Sequence, residues 1–168
     1  MPSLVDMHPE PPTETPTVVA IHVAKGRRLP TRSVPSVEAE AGAGLVGDRY
    51  HGSKHRHVTI QSLPDLEAAA AELGRPVDPG LTRRNVTISG GAIPTRPGDR
   101  ITIGDVELEV VRIAAPCRLL DDNLGPGAAR ALHARAGTVL RLLTSGTISV
   151  GDEVDLRSPA LGALPPPD

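Results

Sequence analysis

Residues 99–117, DRITIGDVELEVVRIAAPC, alternate apolar and polar side chains on either side of a Gly-Asp pair. Such alternation is typical of half-buried β-strands, and the Gly104-Asp105 pair between the two runs is typical of a tight hairpin. Partway through the second run, after Val110, the apolar positions change face. We therefore expect a β-bulge there, or burial of both faces where a sheet curls.

Similar short runs rich in β-branched residues make up most of the remaining chain. They are TPTVVAIHVA, HVTIQS, RNVTIS, TVLRLLTSG and ISVGDEVDL. Glycine-containing turn signals separate many of them, and there is no β-α-β alternation. The pattern predicts a mainly β, barrel-like domain.

Two segments have the pattern of short helices. SLPDLEAAAAELG has a capping residue at Ser62 and a terminating glycine at Gly74, with its leucines on one face. PGAARALHARAG has a weaker pattern and runs from Pro126 to Gly137. We expect two or so short helices beside the sheet.

The proline-rich ends, residues 1–16 and 158–168, are predicted to be disordered tails around a single domain at residues 17–157. The first twenty residues contain no apolar targeting core, and no apolar run is long enough to span a bilayer. The single cysteine excludes an intrachain disulfide. These features lead us to expect a soluble cytoplasmic protein without a membrane partner.

Charge and composition argue against a nucleic-acid partner. The formal net charge is −2, and the chain has one Tyr, no Phe and no Trp, so it offers almost no surface for stacking bases. Sixteen of the 18 basic residues are arginine. That bias fits either genomic base composition or recognition of phosphate and carboxylate groups.

The only cysteine, Cys117, follows Pro116 at the predicted end of a strand. Proline cannot donate to a β-ladder, so it suits the point where the backbone leaves the sheet. Cys117 is therefore expected at a rim, where the adjacent Arg118 would favour the reactive thiolate. The alternative is a small buried core residue, since free cysteine is among the most buried residue types.

Two further polar groups could bind a ligand. Arg84 and Asn85, after Arg83, offer a charged fork and an adaptable amide, which suit a phosphate and a heterocycle edge; they could equally be solvated side chains before a strand. The histidines of HGSKHRH, residues 51–57, match no compact zinc spacing. Solvation or contact with an anionic ligand suits them better than a metal site.

The ordered series GLVGDRYHG, HVTIQS, PGLTRRNVTISG, PGDRITIGDVELEVVRIAAPCR and AGTVLRLLTSGTISVGDEV resembles the MOSC domain, named after the C-terminal domain of molybdenum cofactor sulfurase. The resemblance covers roughly residues 17–156. It implies a β-barrel-like fold with a few helices and an association with molybdenum cofactor (molybdopterin).

In the better-understood members, which reduce N-hydroxylated compounds, a cysteine thiolate ligates molybdenum and an Arg/Asn element helps to hold the pterin phosphate. By resemblance, Cys117 is the catalytic residue and the metal ligand. The implied cofactor-binding residues are Asp48, Arg49, His51, Gln61, Ser62, Arg83, Arg84, Asn85 and Arg118.

Three functions remain open at this stage. The first is a small molybdenum-dependent oxidoreductase, which would need a redox partner or a homodimer to complete its site, because the chain is shorter than the larger reductases. The second is a sulfur carrier that receives a persulfide on Cys117 from a cysteine desulfurase, a pyridoxal-phosphate enzyme. The third is a non-catalytic β-barrel that binds an anion or a partner protein.

Overall fold

The computed structural model of the chain describes residues 15–116 and 118–156, apart from the side chain of Arg118. Cys117 and most of both proline-rich ends lie outside the described residues. The strands are β1 (Val18–Val23), β2 (Arg32–Ser33), β3 (Ser36–Glu40), β4 (Gly44–Leu45), β5 (Val58–Ser62), β6 (Val86–Ile88), β7 (Arg100–Ile103), β8 (Val106–Ile113), β9 (Thr138–Leu142), β10 (Gly146–Ser149) and β11 (Val154–Asp155). The helices are α1 (Leu63–Leu73), α2 (Arg118–Leu124) and α3 (Ala128–Ala131), with a 3-10 turn at Pro79–Leu81.

The strands form two sheets. The larger has the order β11-β7-β8-β9-β5-β6-β1-β2, and the smaller has the order β10-β3-β4. Paired strands are antiparallel except for β5 and β6, which are parallel and are connected through α1. The larger sheet curls into a half-barrel, so the predicted mainly β, barrel-like fold is confirmed. The β5-α1-β6 unit is a single crossover and does not begin an alternating pattern.

The hairpin and the change of face predicted for residues 99–117 are both confirmed. β7 and β8 pair with Ile103 opposite Val106, which leaves only Gly104 and Asp105 in the turn. The register between β8 and β9 shifts between Val110 and Arg112. A bulge of this kind bends the strand and redirects its end, and here the end of β8 leads directly to the segment that contains Cys117.

The prediction for α1 is also confirmed. The Ser62 hydroxyl caps the helix by accepting a hydrogen bond from the backbone N–H of Asp65, at 3.4 Å. Gly74 ends the helix in the left-handed conformation, at φ 74°. Glycine adopts that conformation at no steric cost, which is why it commonly follows the last helical turn.

The prediction of one helix from Pro126 to Gly137 was wrong in extent. Two glycines with positive φ, Gly125 and Gly127, separate α3 from a further short helix, α2. Ala134 has φ 62°, which prevents α3 from continuing to Gly137. The carboxylate of Asp121 accepts a hydrogen bond from the backbone N–H of Ala129, in the first turn of α3, at 2.9 Å.

Apolar side chains form two separate clusters. The main core fills the space enclosed by the sheets and includes Ile21, Leu45, Ile60, Ile88, Leu108, Leu140 and Ile148, all fully buried. A smaller cluster lies among the helices and includes Leu66, Ala69, Leu120, Ala131 and Leu132. In the described ranges, no helix combines the length and apolarity needed to cross a membrane.

Candidate functional site

A cleft of about 410 Å³ lies where four separate segments of the chain meet. Its walls consist of Arg27, Arg28, Arg49, Tyr50, Arg56, Thr82, Arg83, Arg84, Ala115 and Leu119. Six of these ten residues are arginines, and none is acidic. Ala115 and Leu119 flank Cys117 in the chain, so the cleft borders the segment that carries the thiol.

Arg83 organises one wall of the cleft from a buried position, with 7% of its surface exposed. Its guanidinium donates hydrogen bonds to the carbonyls of Leu29 and Arg27, each at 2.7 Å, and to that of Gly26 at 3.3 Å. These bonds fix the loop that follows β1. The backbone of Arg83 is left-handed, at φ 68°, which costs a residue with a side chain about 1–2 kcal/mol. Strain of this kind often occurs at functional sites.

Arg84 holds the backbone at Ala115, two residues before Cys117 in the chain. It is 5% exposed, and its guanidinium donates to the carbonyl of Ala136 from Nε at 2.9 Å and to that of Ala115 from Nη2 at 3.0 Å. The backbone N–H of Ala114 adds a bond to the carbonyl of Gly137 at 2.9 Å. Arg84 thus connects the segment before Cys117 to the segment before β9, while its side chain also lines the cleft.

A third part of the cleft is built around Tyr50, the only Phe, Tyr or Trp residue in the chain. The guanidinium carbons of Arg49 and Arg56 lie 4.6 and 4.4 Å from the centre of its ring. At these distances the negative face of the ring attracts each cation. Arg49 also pairs with Asp48 at 3.2 Å and donates to the carbonyl of Arg83 at 3.0 Å. These contacts hold several positive side chains in fixed positions.

Among the predicted cofactor-binding residues, Arg49, Arg83 and Arg84 line the cleft together. Asp48 and Gln61 support its walls without lining it. The Asp48 carboxylate accepts from the backbone N–H of Ala24 at 3.1 Å as well as from Arg49.

Gln61 supports the cleft through Thr82, which is one of the lining residues. The Thr82 hydroxyl donates to Gln61 Oε1 at 2.8 Å, and Gln61 Nε2 donates to the hydroxyl of Thr87 at 2.9 Å. Gln61 is fully buried. Its amide therefore orients a lining hydroxyl from behind.

Asn85, Ser62 and His51 do not line the cleft. Asn85 accepts from the backbone N–H of Thr59 at 3.0 Å and donates to the carbonyl of His22 at 3.1 Å, so its amide joins β1, β5 and β6. Ser62 caps α1, as described above. His51 is exposed, and its Nε2 lies 2.5 Å from Oε1 of Glu40. Cys117 and the side chain of Arg118 lie outside the described residues.

In the described part of the chain His57 is buried, whereas His51 and His55 are exposed. No three His, Cys, Asp or Glu side chains there are placed to hold a metal ion. His57 is buried; its Nδ1 accepts from the backbone N–H of Leu142 at 2.9 Å and its Nε2 donates to the carbonyl of Ser53 at 2.7 Å. Burial lowers the pKa of His57 below its ordinary value of 6.5, although the bond to Ser53 opposes the shift.

Sequence reasoning did not identify Arg27, Arg28, Tyr50 or Arg56 as site residues. Arg27 and Arg28 could have been found from the local charge, because the chain contains no Asp or Glu from Thr15 to Val37 but has four basic residues there. The contribution of Tyr50 and Arg56 depends on tertiary packing between distant segments. No local pattern could reveal that packing.

Comparison with protein families matches the profile of the MOSC domain to residues 47–155. Comparison with curated proteins found no significantly similar sequence.

Solved structures share the fold. The crystal structure of the YuaD protein from Bacillus subtilis superimposes with a TM-score of 0.72 at 19% sequence identity, over 84% of this chain and 94% of that one. YiiM from Geobacillus stearothermophilus gives a TM-score of 0.68 at 20% identity, over 89% of this chain and 78% of the other. YiiM from Escherichia coli gives a TM-score of 0.64 at 17% identity, over 84% of this chain and 70% of the other.

Proposed function

The chain belongs to the MOSC domain family, and from this premise we propose that its arginine-lined cleft binds molybdenum cofactor. Cys117 serves as the thiolate ligand to molybdenum, and the protein acts as a small redox enzyme that reduces N-hydroxylated compounds. The observation that carries the proposal is the lining of the cleft, in which six arginines stand together with Ala115 and Leu119, the residues two positions before and after the chain's only cysteine.

The residues of the cleft fit the chemistry of this cofactor. Guanidinium groups bind phosphate through paired, charge-assisted hydrogen bonds, and the pterin of the cofactor carries a phosphate. A thiolate is a soft ligand, which suits it to bind a transition metal. Positive side chains near a thiol favour its ionised form, as this proposal requires of Cys117. When bound, the cofactor supplies a two-electron redox centre.

Each group of residues has a distinct task in this proposal. Arg83 and Arg84 bind the phosphate and keep the surrounding backbone in place through their carbonyl contacts. Thr82, oriented by Gln61, offers a hydroxyl on the same wall. Tyr50 keeps Arg49 and Arg56 in position. Rigid placement of this kind lowers the reorganisation needed when charge develops during reaction.

The overall reaction consumes two electrons and two protons for each N–OH group, which becomes N–H with release of water. The electrons come from a redox partner protein. Protons reach the site from solvent at the exposed side of the cleft, where Arg27 and Arg28 lie.

The test is the metal and pterin content of the protein produced in a host that makes the cofactor. Wild-type protein should contain molybdenum and pterin in equal amounts, and it should reduce an N-hydroxylated compound when given a chemical electron donor. Cys117→Ser should lose the activity and most of the molybdenum. Wild-type protein with neither molybdenum nor pterin would contradict the proposal.

Sulfur carriage gives a different result in the same samples. Incubation with a cysteine desulfurase and cysteine would then add one sulfur to wild-type protein, seen by intact mass, and none to Cys117→Ser. Added sulfur without molybdenum would favour a carrier over an enzyme.

A further inference from the structure

We propose that Arg27 and Arg28 form a second anion subsite, on the solvent side of the cleft, which binds a phosphate monoester group on the molecule that is reduced. The role of this subsite in recognising substrate rests on the proposed function, whereas anion binding by the two arginines does not. The inference deepens the proposed function by specifying a phosphorylated substrate in place of a neutral one.

The side chains of Arg27 and Arg28 are cations without partners in the part of the chain that the structure describes. Both residues are exposed, and neither guanidinium group makes a hydrogen bond or ion pair with any residue in the described ranges. Elsewhere in the same ranges, Arg49 pairs with Asp48 and Arg135 pairs with Glu72. Two unpaired arginines that are consecutive in the chain and both line a concave site are suited to a doubly charged anion such as a phosphate monoester.

The loop that carries these arginines is held in place before any ligand binds. Arg83 donates to the carbonyls of Gly26, Arg27 and Leu29. The hydroxyl of Thr31 donates to the carbonyl of Gly80, which ties the far end of the loop to the 3-10 turn. A loop already fixed in position loses less conformational freedom on binding, so its contacts give more affinity.

The inner arginines of the cleft, Arg83 and Arg84, differ in burial from the outer arginines, Arg27 and Arg28, and this difference suits them to two separate ligands. Arg83 and Arg84 are buried and hold backbone carbonyls, whereas Arg27 and Arg28 face solvent. One cofactor phosphate can occupy the inner pair. The outer pair is then available to a second anion that enters from solvent, and the positive field of the cleft would attract it although the whole chain has a formal net charge of −2.

Tyr50 provides a reporter for the test, because it is the only tyrosine, there is no tryptophan, and its ring lines the cleft. Intrinsic fluorescence of cofactor-free protein should change on titration with glycerol 3-phosphate or inorganic phosphate, and not with glycerol. The double variant R27Q/R28Q should weaken the binding of glycerol 3-phosphate about tenfold or more, as expected for loss of charge-assisted hydrogen bonds. Calorimetry on the same samples checks the affinities.

The matched control is R96Q/R130Q, which removes two positive charges from exposed arginines that do not line the cleft. Its affinity for glycerol 3-phosphate should equal that of wild type. Circular dichroism melting of both double variants checks that each is folded.

Three results would overturn the proposal: no binding of glycerol 3-phosphate by wild type, equal affinity in R27Q/R28Q, or equal weakening in the control. Pterin content separates the two ligands. If R27Q/R28Q also loses pterin, the outer arginines hold the cofactor itself and the second subsite is wrong. If wild type contains no pterin but R27Q/R28Q still loses phosphate binding, the proposed function fails and the anion subsite stands.

Discussion

Arg84 connects two segments that are far apart in sequence, and its charge alone does not explain its position. Its guanidinium reaches the carbonyls of Ala115 and Ala136 at the same time. An ammonium group at the end of a flexible stem cannot reproduce that planar fork. Arg84 thus positions the segment before Cys117, and its side chain also lines the cleft.

Replacement of Arg84 by lysine should therefore destabilise this segment although it keeps the charge. We expect the free energy of unfolding to fall by about 1–3 kcal/mol, because a buried carbonyl loses its donor. The amide of Ala114 donates to the carbonyl of Gly137, beside the two carbonyls that Arg84 holds, and it should exchange faster with solvent. Arg135→Lys, at a half-exposed ion pair with Glu72, is the control and should change stability by less than about 0.5 kcal/mol. Unchanged exchange at Ala114 in Arg84→Lys would refute this role.

His57 makes stability depend on pH. Burial lowers its pKa below 6.5, and protonation of Nδ1 would break the bond from the backbone of Leu142. Below about pH 6.5 the unfolded chain therefore binds more protons than the folded chain. The contribution of His57 to the free energy of unfolding is fully present above that pH and is lost as the pH decreases through it. The pKa of His22 is lowered too, mainly by burial and against the attraction of Asp78, and it acts in the same direction.

Urea unfolding between about pH 8 and pH 5.5 measures this dependence. The free energy of unfolding of wild type should decrease across the range. In His57→Gln the free energy of unfolding should decrease less over the same pH range, and the decrease that remains should be due mainly to His22. Parallel pH profiles for wild type and His57→Gln would rule out His57 as the source.

At the scale of elements, Gly137 sets how closely β9 approaches β5. It has φ 91°, and a Cβ atom at this position would lie 1.8 Å from the carbonyl oxygen of Ile60. Gly137→Ala should cost more than the roughly 1–3 kcal/mol typical of overpacking, or prevent folding. Gly42, with φ 75° and no atom within 4 Å of where a Cβ would lie, is the matched control.

Gly42→Ala should cost only the backbone strain, about 1–2 kcal/mol. Urea unfolding of both variants compares their free energies of unfolding. If Gly137→Ala does not fold, the soluble yields of the two variants are compared instead. Equal costs for the two substitutions would show that the close approach of Gly137 to β5 is not limiting.

Elements with a strong local pattern were predictable from the sequence. The Gly104-Asp105 turn fixes the register of β7 and β8, and the apolar positions of β8 reveal its bulge because both follow from neighbouring residues. The short helix α2 was not predicted, and α3 was predicted to extend from Pro126 to Gly137. The boundary between the two helices depends on positive φ at Gly125 and Gly127. Glycine permits that conformation without requiring it, so sequence alone could not decide.

At the scale of the whole molecule, the cleft shows why a site is harder to predict than a fold. Arg83 and Arg84 were accessible to sequence reasoning, since they stand together beside a strand. Arg28 and Arg56 belong to two other loops, which the curled sheet brings to the same wall. Asn85 looked like a ligand-binding amide, but its hydrogen bonds join three strands.

In the proposed site, the thiolate of Cys117 and the arginine cleft together hold one molybdenum cofactor. X-ray absorption at the molybdenum edge tests it most directly, because it counts the sulfur atoms bound to the metal. In purified wild-type protein reconstituted with cofactor, molybdenum should have one more sulfur ligand than in Cys117→Ser prepared in the same way. An identical sulfur count in the two proteins, or no molybdenum bound to wild type, would contradict the account.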